Sequence, residues 1–244
     1  MQVDIRVPYT TRPSMQRRRG PAFQSAPDSH KLVAKQQELA EHDTRLWAQT
    51  ASAGELINAM ANHCGKPATH NIKELALNFQ EDIAIMRNGQ LEAVCFCFPS
   101  GWSPSEKIGM TLAEIHRPVA DGAELVNRSA RLAATMADPV LGRFQRQVWT
   151  VTANPALSNL PGTAPESVPR TIDDLWFRWE NQTTEPLGTD NASLFFVDVN
   201  VVPLRSVWSD LGGQIVASVN SMTDAVLDYK NLQHIKTVLN GGIT

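Results

Sequence analysis

IAIMRNGQLEAVCFCF, residues 83–98, is the stretch that decides the fold. Before it, apolar residues recur at helical spacing; within it they alternate with other residues or run together, as in strands. Asn88-Gly89 separates the two apolar halves, and this dipeptide favours the tight turn of a β-hairpin. The stretch therefore predicts two adjacent antiparallel strands and, with them, a sheet.

Two helices are predicted before this hairpin. The first begins near Asp28, and Leu32, Leu39 and Leu46 recur along it at a seven-residue spacing that forms one apolar stripe. The second begins at Ser52, a residue type that suits the N-cap of a helix. The sequence between the N-terminal segment and the hairpin is therefore predicted to be mainly helical.

The rest of the chain adds one internal helix, three strands and a final helix. The internal helix begins at Asp121, the final helix opens at Ser221, and the strand-like segments are 147–152, 175–182 and 194–202. Five strands with a helical insertion after the second, and helices at both ends, predict an α+β fold. We expect a five-stranded antiparallel sheet with flanking N- and C-terminal helices.

Composition limits the classes of protein to be considered. The 244 residues are 42% hydrophobic, which suits one core, so we expect an irregular basic arm over 1–27 and a single domain over 28–244. A net charge of −3 gives no reason to expect nucleic acid or an acidic membrane surface as a partner. No apolar run reaches about 18 residues, and none follows the N-terminal arginines as in a secretory signal. We therefore expect a cytoplasmic protein with no membrane partner.

Several cofactor motifs are missing from the sequence. It has no phosphate-binding glycine pattern, no His-Glu-x-x-His zinc helix and no Cys-x-x-Cys-His for covalent haem attachment. Three cysteines are fewer than the four thiolates that an iron–sulfur cluster usually needs. Cys95 and Cys97 fall on one face of a predicted strand, where buried thiols are the expected interpretation. The residues by themselves therefore do not point to a bound dinucleotide, zinc ion or iron–sulfur cluster.

Short motifs in three parts of the chain nevertheless resemble a known family. They are FPSGW at 98–102, EKIG at 106–109, IHRPV at 115–119, RWENQT at 178–183 and DYK at 228–230. In combination they resemble the haem-dependent oxidative N-demethylase family, whose alpha subunit is a haem-binding PAS domain. The resemblance covers about residues 30–235 and therefore the whole predicted sheet.

The resemblance implies a PAS-like sheet that holds haem b, with His116 of the IHRPV motif as the axial ligand of the iron. It implies oxygen-dependent demethylation of a small secondary amine, with electrons from separate flavin and iron–sulfur subunits. We therefore expect a separate electron-donor protein. Asn181, Ala120 and the pair Thr184-Glu185 depart from the family pattern. These differences suggest a substrate other than a simple dimethylated amine, for which a biosynthetic pathway is one setting.

His116 and Glu180 are the principal candidates for the site. Pro118 biases Arg117 away from helix, so His116 should lie where a helix meets a loop. Without the resemblance His116 would be taken for an ordinary loop histidine; with it, we interpret His116 as the metal ligand. Alternation places Glu180 on the same strand face as Arg178. The two form a surface ion pair, or Glu180 lies in the haem pocket as a catalytic residue that attracts a cationic amine.

Four further residues are candidates for contact with the cofactor. Trp102 packs on the porphyrin or in the core. Lys107, Arg117 and Arg178 could each pair with a haem propionate, or be solvated. The sequence does not decide among them.

Two functions from different classes remain. The first is a haem-dependent oxidoreductase of the monooxygenase type, which acts on a small amine or related nitrogen compound with oxygen or peroxide. The second is a haem-binding PAS sensor of gas or redox state without catalytic turnover. No output domain is visible in the sequence, which favours the enzyme. The sequence leaves the substrate, the oxidant and the oligomeric state open.

Overall fold

Seven antiparallel strands form one open sheet in the computed structural model, which describes residues 3–12, 14–163 and 168–241. The strands are β1 (Gln16–Arg18), β2 (Trp47–Gln49), β3 (Asp82–Arg87), β4 (Gln90–Cys95), β5 (Arg143–Thr152), β6 (Trp176–Pro186) and β7 (Ala192–Pro203). Their order in the sheet is β1-β5-β6-β7-β3-β4-β2. The predicted α+β class and antiparallel sheet are thereby confirmed.

Eight α-helices surround this sheet within the described residues. They are α1 (Ser29–Leu46), α2 (Gly54–His63), α3 (Ile72–Ala76), α4 (Leu112–His116), α5 (Ala123–Ala137), α6 (Leu204–Asn220), α7 (Asp224–Tyr229) and α8 (Gln233–Gly241). Two short 3₁₀ helices occupy Pro104–Lys107 and Ile172–Asp174. None of the described helices is both long and apolar enough to cross a membrane.

The predicted hairpin is the pair β3–β4. Its turn places Asn88 at φ 52° and Gly89 at φ 77°. A tight hairpin turn needs positive φ at both central positions, which asparagine and glycine tolerate better than other residues. The dipeptide that suggested the hairpin is therefore the one that its geometry requires.

The expectation of five strands was wrong, because the sheet has seven among the described residues. The two additional strands, β1 and β2, have three residues each and form the two edges. Three residues are too few to show an alternating pattern, so sequence periodicity could not reveal them. Strand β1 lies in the segment 1–27 that was expected to be irregular, and it pairs with β5.

The C-terminal helices also differ from the prediction. Helix α6 was not predicted, since Gly212-Gly213 interrupts its apolar pattern and glycine is unfavourable inside a helix. A Cβ at Gly212 would lie 2.8 Å from the ring of Trp208, so the tryptophan occupies the space that a side chain would need. The single final helix expected from Ser221 is two helices, α7 and α8, separated by Asn231 at φ 54°.

The two faces of the sheet have different coverings. Phe196 of β7 belongs to a core shared with α1 to α3, and Phe177 of β6 belongs to a second core shared with α6 to α8. The register pairs Glu180 with Val148 and with Val199, so all three lie on the opposite face. Helices α4 and α5 lie across a cavity from that face.

A buried ion pair joins α1 to the centre of the sheet. Lys35 Nζ lies 3.6 Å from Asp82 Oδ1, and both side chains are inaccessible to solvent. The ammonium also donates to the carbonyl of Glu81, while Asp82 accepts from the backbone N–H groups of Cys97 at 2.8 Å and Phe98 at 2.9 Å. Burial raises the pKa of Asp82 to about 6, against the opposing effect of Lys35 and these N–H groups. The end of β4 is thus anchored on β3 and α1.

Candidate functional site

A cavity of about 1470 Å³ is lined by the sheet, by helices α4 and α5, by the N-terminal segment and by residues of α6 and α7. It exceeds the roughly 300–1000 Å³ of pockets for drug-sized ligands. Five of the six residues singled out from the sequence line it: Trp102, Lys107, His116, Arg178 and Glu180. The sixth, Arg117, is exposed at the end of α4 and is not part of the lining.

His116 is the last residue of α4, at the predicted junction between a helix and a loop. The expected bias on Arg117 is not seen, because this residue keeps helical angles of φ −54° and ψ −36° before Pro118. The bias is a preference, and here the turn of α4 continues through the C-cap, where the Arg117 N–H donates to the carbonyl of Glu114 at 3.3 Å. The helix ends by capping rather than by a change at Arg117.

The imidazole of His116 is held in one tautomer. Its Nδ1 lies 2.8 Å from the carbonyl oxygen of Leu112, which can only accept, so Nδ1 carries the proton. Within the part of the chain that the structure describes, no group hydrogen-bonds to Nε2. The basic nitrogen of the ring therefore has no protein partner at the wall of the cavity.

Burial also keeps this imidazole neutral. Desolvation and, to a smaller extent, the nearby charge of Arg146 lower the pKa of His116 to about 4, whereas the bond to Leu112 opposes the shift. A neutral ring with Nδ1–H on a backbone carbonyl and a free Nε2 is the usual form of a histidine metal ligand. The tautomer and burial of His116 are thus compatible with a role as a metal ligand.

Glu180 is fixed by two neutral donors. Ser100 Oγ donates to Oε1 at 2.5 Å and Gln182 Nε2 donates to Oε2 at 2.7 Å, while an Arg178 nitrogen lies 3.9 Å from Oε1. The predicted shared face with Arg178 is confirmed, but the pair is not at the surface, since Arg178 is 3% exposed. Each carboxylate oxygen accepts one of these two bonds and so has capacity for another donor.

Arg178 serves the protein itself. Its Nε donates to Ser100 Oγ at 3.1 Å, Nη2 donates to the carbonyl of Phe98 at 2.9 Å, and Nη1 donates to the carbonyl of Leu157. Each of its three nitrogens therefore already has a protein acceptor. Arg178 ties β6 to the loop that carries Ser100 and so fixes the position of Glu180.

Trp102 and Lys107 also line the cavity. Trp102 is half-buried and packs edge-on against Phe96, with ring centroids 5.5 Å apart and planes at 66°. Lys107 ends a 3₁₀ helix and has no carboxylate of the described residues within ion-pair distance. One residue offers an aromatic surface and the other a cation to whatever the cavity holds.

The family model for the haem-dependent oxidative N-demethylase, alpha subunit-like, matches residues 33–240. The chain belongs to this N-demethylase alpha-subunit-like family. The resemblance seen in its motifs is thereby confirmed, and the name of the family indicates haem dependence and an oxidative enzyme. Comparison with curated proteins gives no match.

The cavity of this N-demethylase-like chain contains residues that could hold a haem. Among the described residues no group of three or more His, Cys, Asp or Glu could hold a bare metal ion. Haem brings four equatorial nitrogens of its own and needs from the protein an axial ligand such as histidine. Besides His116, the cavity offers an apolar wall that includes Phe195, Val197 and Met136. The residues present therefore fit the group.

Sequence reasoning missed several charged and aromatic residues of the cavity. Arg146 lies one position before the predicted strand 147–152, and the alternation of that strand would have placed it beside Glu180. Tyr9 and Lys230 come from opposite ends of the chain; Lys230 Nζ lies 5.6 Å from the Tyr9 ring centroid. Burial raises the pKa of Tyr9 to about 12. No local pattern could have brought these two together.

Lys230 provides a test of the electrostatics of the cavity. Burial lowers its pKa to about 8, and the negative charge of Glu180 opposes this shift. We expect Glu180→Gln to lower the pKa of Lys230 further, as followed by the NMR shift of its ¹³Cε against pH. Glu106→Gln, which removes an exposed carboxylate, should leave this titration unchanged. A Lys230 pKa that stays the same or rises in Glu180→Gln would contradict the assigned coupling.

Proposed function

We propose that this chain is a haem b-dependent oxidoreductase of the monooxygenase type. Its substrate is a small amine or a related nitrogen compound, and its oxidant is oxygen or peroxide. The observation that carries the proposal is the neutral imidazole of His116, which has its Nδ1–H on the Leu112 carbonyl and its Nε2 free at a large cavity. Membership of the family supports the same conclusion.

Different residues of the cavity would hold different parts of the haem. His116 would bind the iron, the apolar wall with Trp102 would take the macrocycle, and Lys107 would pair with a propionate. When bound, the haem supplies the oxidative chemistry, while the protein sets ligation, polarity and access.

Glu180 would bind and orient the substrate. Its carboxylate is largely shielded from water, and at low dielectric a negative charge attracts an ammonium group strongly. The bonds from Ser100 and Gln182 hold the carboxylate in place before the amine arrives. Orientation of the reacting nitrogen would therefore need no rearrangement of β6.

We also propose the finer features that the resemblance implies. The five longer strands would form a PAS-like core, since the first and last of them, β3 and β7, are neighbours in the sheet and the helical connection follows the second, β4. Electrons would come from a separate donor protein, and the chain would act in the cytoplasm. The substrate would differ from a simple dimethylated amine and could belong to a biosynthetic pathway.

Difference spectroscopy on the haem-loaded protein tests the role of Glu180. Small secondary amines should perturb the haem spectrum of the unchanged protein, and Glu180→Gln should bind them about 10- to 100-fold more weakly because a charge-assisted bond is lost. The variant should retain its haem, and Glu106→Gln should behave like the unchanged protein. Equal amine affinity in Glu180→Gln would refute the role. If the haem spectrum changes with added gases while no added amine is oxidised, the alternative function, a haem-binding PAS sensor, would be favoured.

A further inference from the structure

Arg146 is a cation of the cavity whose binding capacity is only partly used. The register pairs it with Gln182, which places it on the same face of the sheet as Glu180. Its Nε donates to Gln182 Oε1 at 2.6 Å. Among the described residues no acceptor bonds to its Nη1 or Nη2, and no carboxylate oxygen lies within 4.0 Å of the guanidinium.

Gln182 keeps the positive and negative groups of this face apart. Its amide accepts from Arg146 through Oε1 and donates to Glu180 through Nε2. The charge of Glu180 is felt at Arg146, yet the two groups do not pair. The face therefore presents a carboxylate and a guanidinium side by side, with neither neutralised by the other.

Arg178, in the same sheet, is an arginine with a full set of protein acceptors and serves as a comparison for Arg146. Its three nitrogens all donate to oxygens of the protein, whereas two nitrogens of Arg146 donate to none in the described chain. Burial leaves the charge of Arg146 poorly solvated and thereby lowers its pKa. A shielded cation without a counter-charge is costly unless a partner arrives. The two terminal nitrogens of a guanidinium match the two oxygens of a carboxylate.

We propose that the terminal nitrogens of Arg146 bind a carboxylate of the ligand that fills the cavity. Two sources have this chemistry: a propionate of the haem, or a carboxylate of the substrate itself. In the second case Glu180 would hold the amine and Arg146 the acid, so the substrate would be an N-substituted amino acid. The proposal rests on the proposed function only for the identity of the cavity as the haem and substrate site.

Metal-free protoporphyrin IX tests the first source, because it carries the propionates but cannot be coordinated by His116. Its binding to the full chain can be followed by quenching of Trp102, which lines the cavity. Arg146→Gln should bind it about tenfold or more weakly, while protoporphyrin dimethyl ester should bind to both proteins alike. Arg146→Lys keeps the charge but lacks the paired terminal nitrogens of the guanidinium. Its affinity for protoporphyrin should lie between those of the unchanged protein and Arg146→Gln. Circular dichroism establishes that each variant is folded.

Sarcosine and dimethylamine, which differ by one carboxylate, test the second source. Calorimetry on the full chain, with hemin bound or absent, should show that Arg146→Gln weakens sarcosine about tenfold or more and leaves dimethylamine unchanged. If Arg146→Gln weakens the binding of protoporphyrin alone, the partner of Arg146 is a haem propionate. If it weakens the binding of sarcosine alone, the partner is the carboxylate of the substrate. If hemin does not bind but sarcosine binding depends on Arg146, the proposed function fails and this inference stands. The inference is overturned if folded Arg146→Gln binds both probes as the unchanged protein does, or if the unchanged protein binds neither.

Discussion

His116→Ala should abolish the Soret band of the haem-loaded protein. The ring offers the iron a neutral nitrogen, and its other nitrogen is anchored on the Leu112 carbonyl. Changes to the partners of a metal-bound histidine already weaken metal binding about 10- to 100-fold, so loss of the ligand itself should weaken hemin binding by at least about 100-fold. Absorption titration with hemin measures this, and added imidazole should restore the band by entering the vacated space.

His70→Ala is the matched control for this variant. The side chain of His70 is 62% exposed and pairs only loosely with Glu55 at 3.9 Å, so its loss should not change the titration. Circular dichroism should show both variants folded, since His116 is half-buried and outside the two cores. A folded His116→Ala protein that keeps its Soret band would refute His116 as the ligand. So would an unchanged protein that remains colourless with hemin.

Lys35→Met should destabilise the fold by about 3–5 kcal/mol, because it leaves the buried charge of Asp82 without its cation. The carbonyl of Glu81 loses its side-chain donor at the same time. Denaturant unfolding measures the effect. Lys73→Met is the control, since its pair with Asp43 is partly exposed and should contribute about 1 kcal/mol or less. A similar small change in Lys35→Met would mean that the pair does not stabilise the fold.

The effect of Lys35→Met should depend on pH. The pKa of Asp82 is about 6 in the folded protein against 3.8 as its ordinary value, so folding favours the protonated acid and stability falls as pH rises through this window. Lys35 opposes that rise in pKa, and its removal should raise the pKa of Asp82 further. The loss of stability in Lys35→Met should therefore be smaller at pH 5 than at pH 7. Lys35→Met/Asp82→Asn should recover part of it at pH 7.

The fold was predictable where a local pattern is long enough to see. Residues 83–98 contain both strands and the turn between them, and they gave the hairpin directly. The strands β1 and β2 are too short for any pattern, and the glycines of α6 look like a break until Trp208 is seen against Gly212. The two edge strands depend on partners distant in the chain, whereas the α6 glycine depends on the position of a side chain four residues before it.

The candidate site was also predictable from local motifs only in part. The motifs of the family led to five residues that line one cavity, although these residues are spread from Trp102 to Glu180. Arg146 escaped because its strand was judged to begin one residue later, and a charged residue at a strand end looks like an ordinary surface residue. Tyr9 and Lys230 meet only because both ends of the chain reach this cavity.

The loop after β4 is anchored in part by residues that lie outside the cavity, so mutations in those residues should also affect the site. Asp82 holds the N–H of Phe98 and Arg178 holds its carbonyl, two residues before the serine that fixes Glu180. Lys35, which supports Asp82, belongs to α1, and no described residue of that helix lines the cavity. A genetic screen for inactive alleles should therefore recover substitutions in α1 as well as at the cavity. On the proposed function, Lys35 would then be needed for activity although it does not line the cavity.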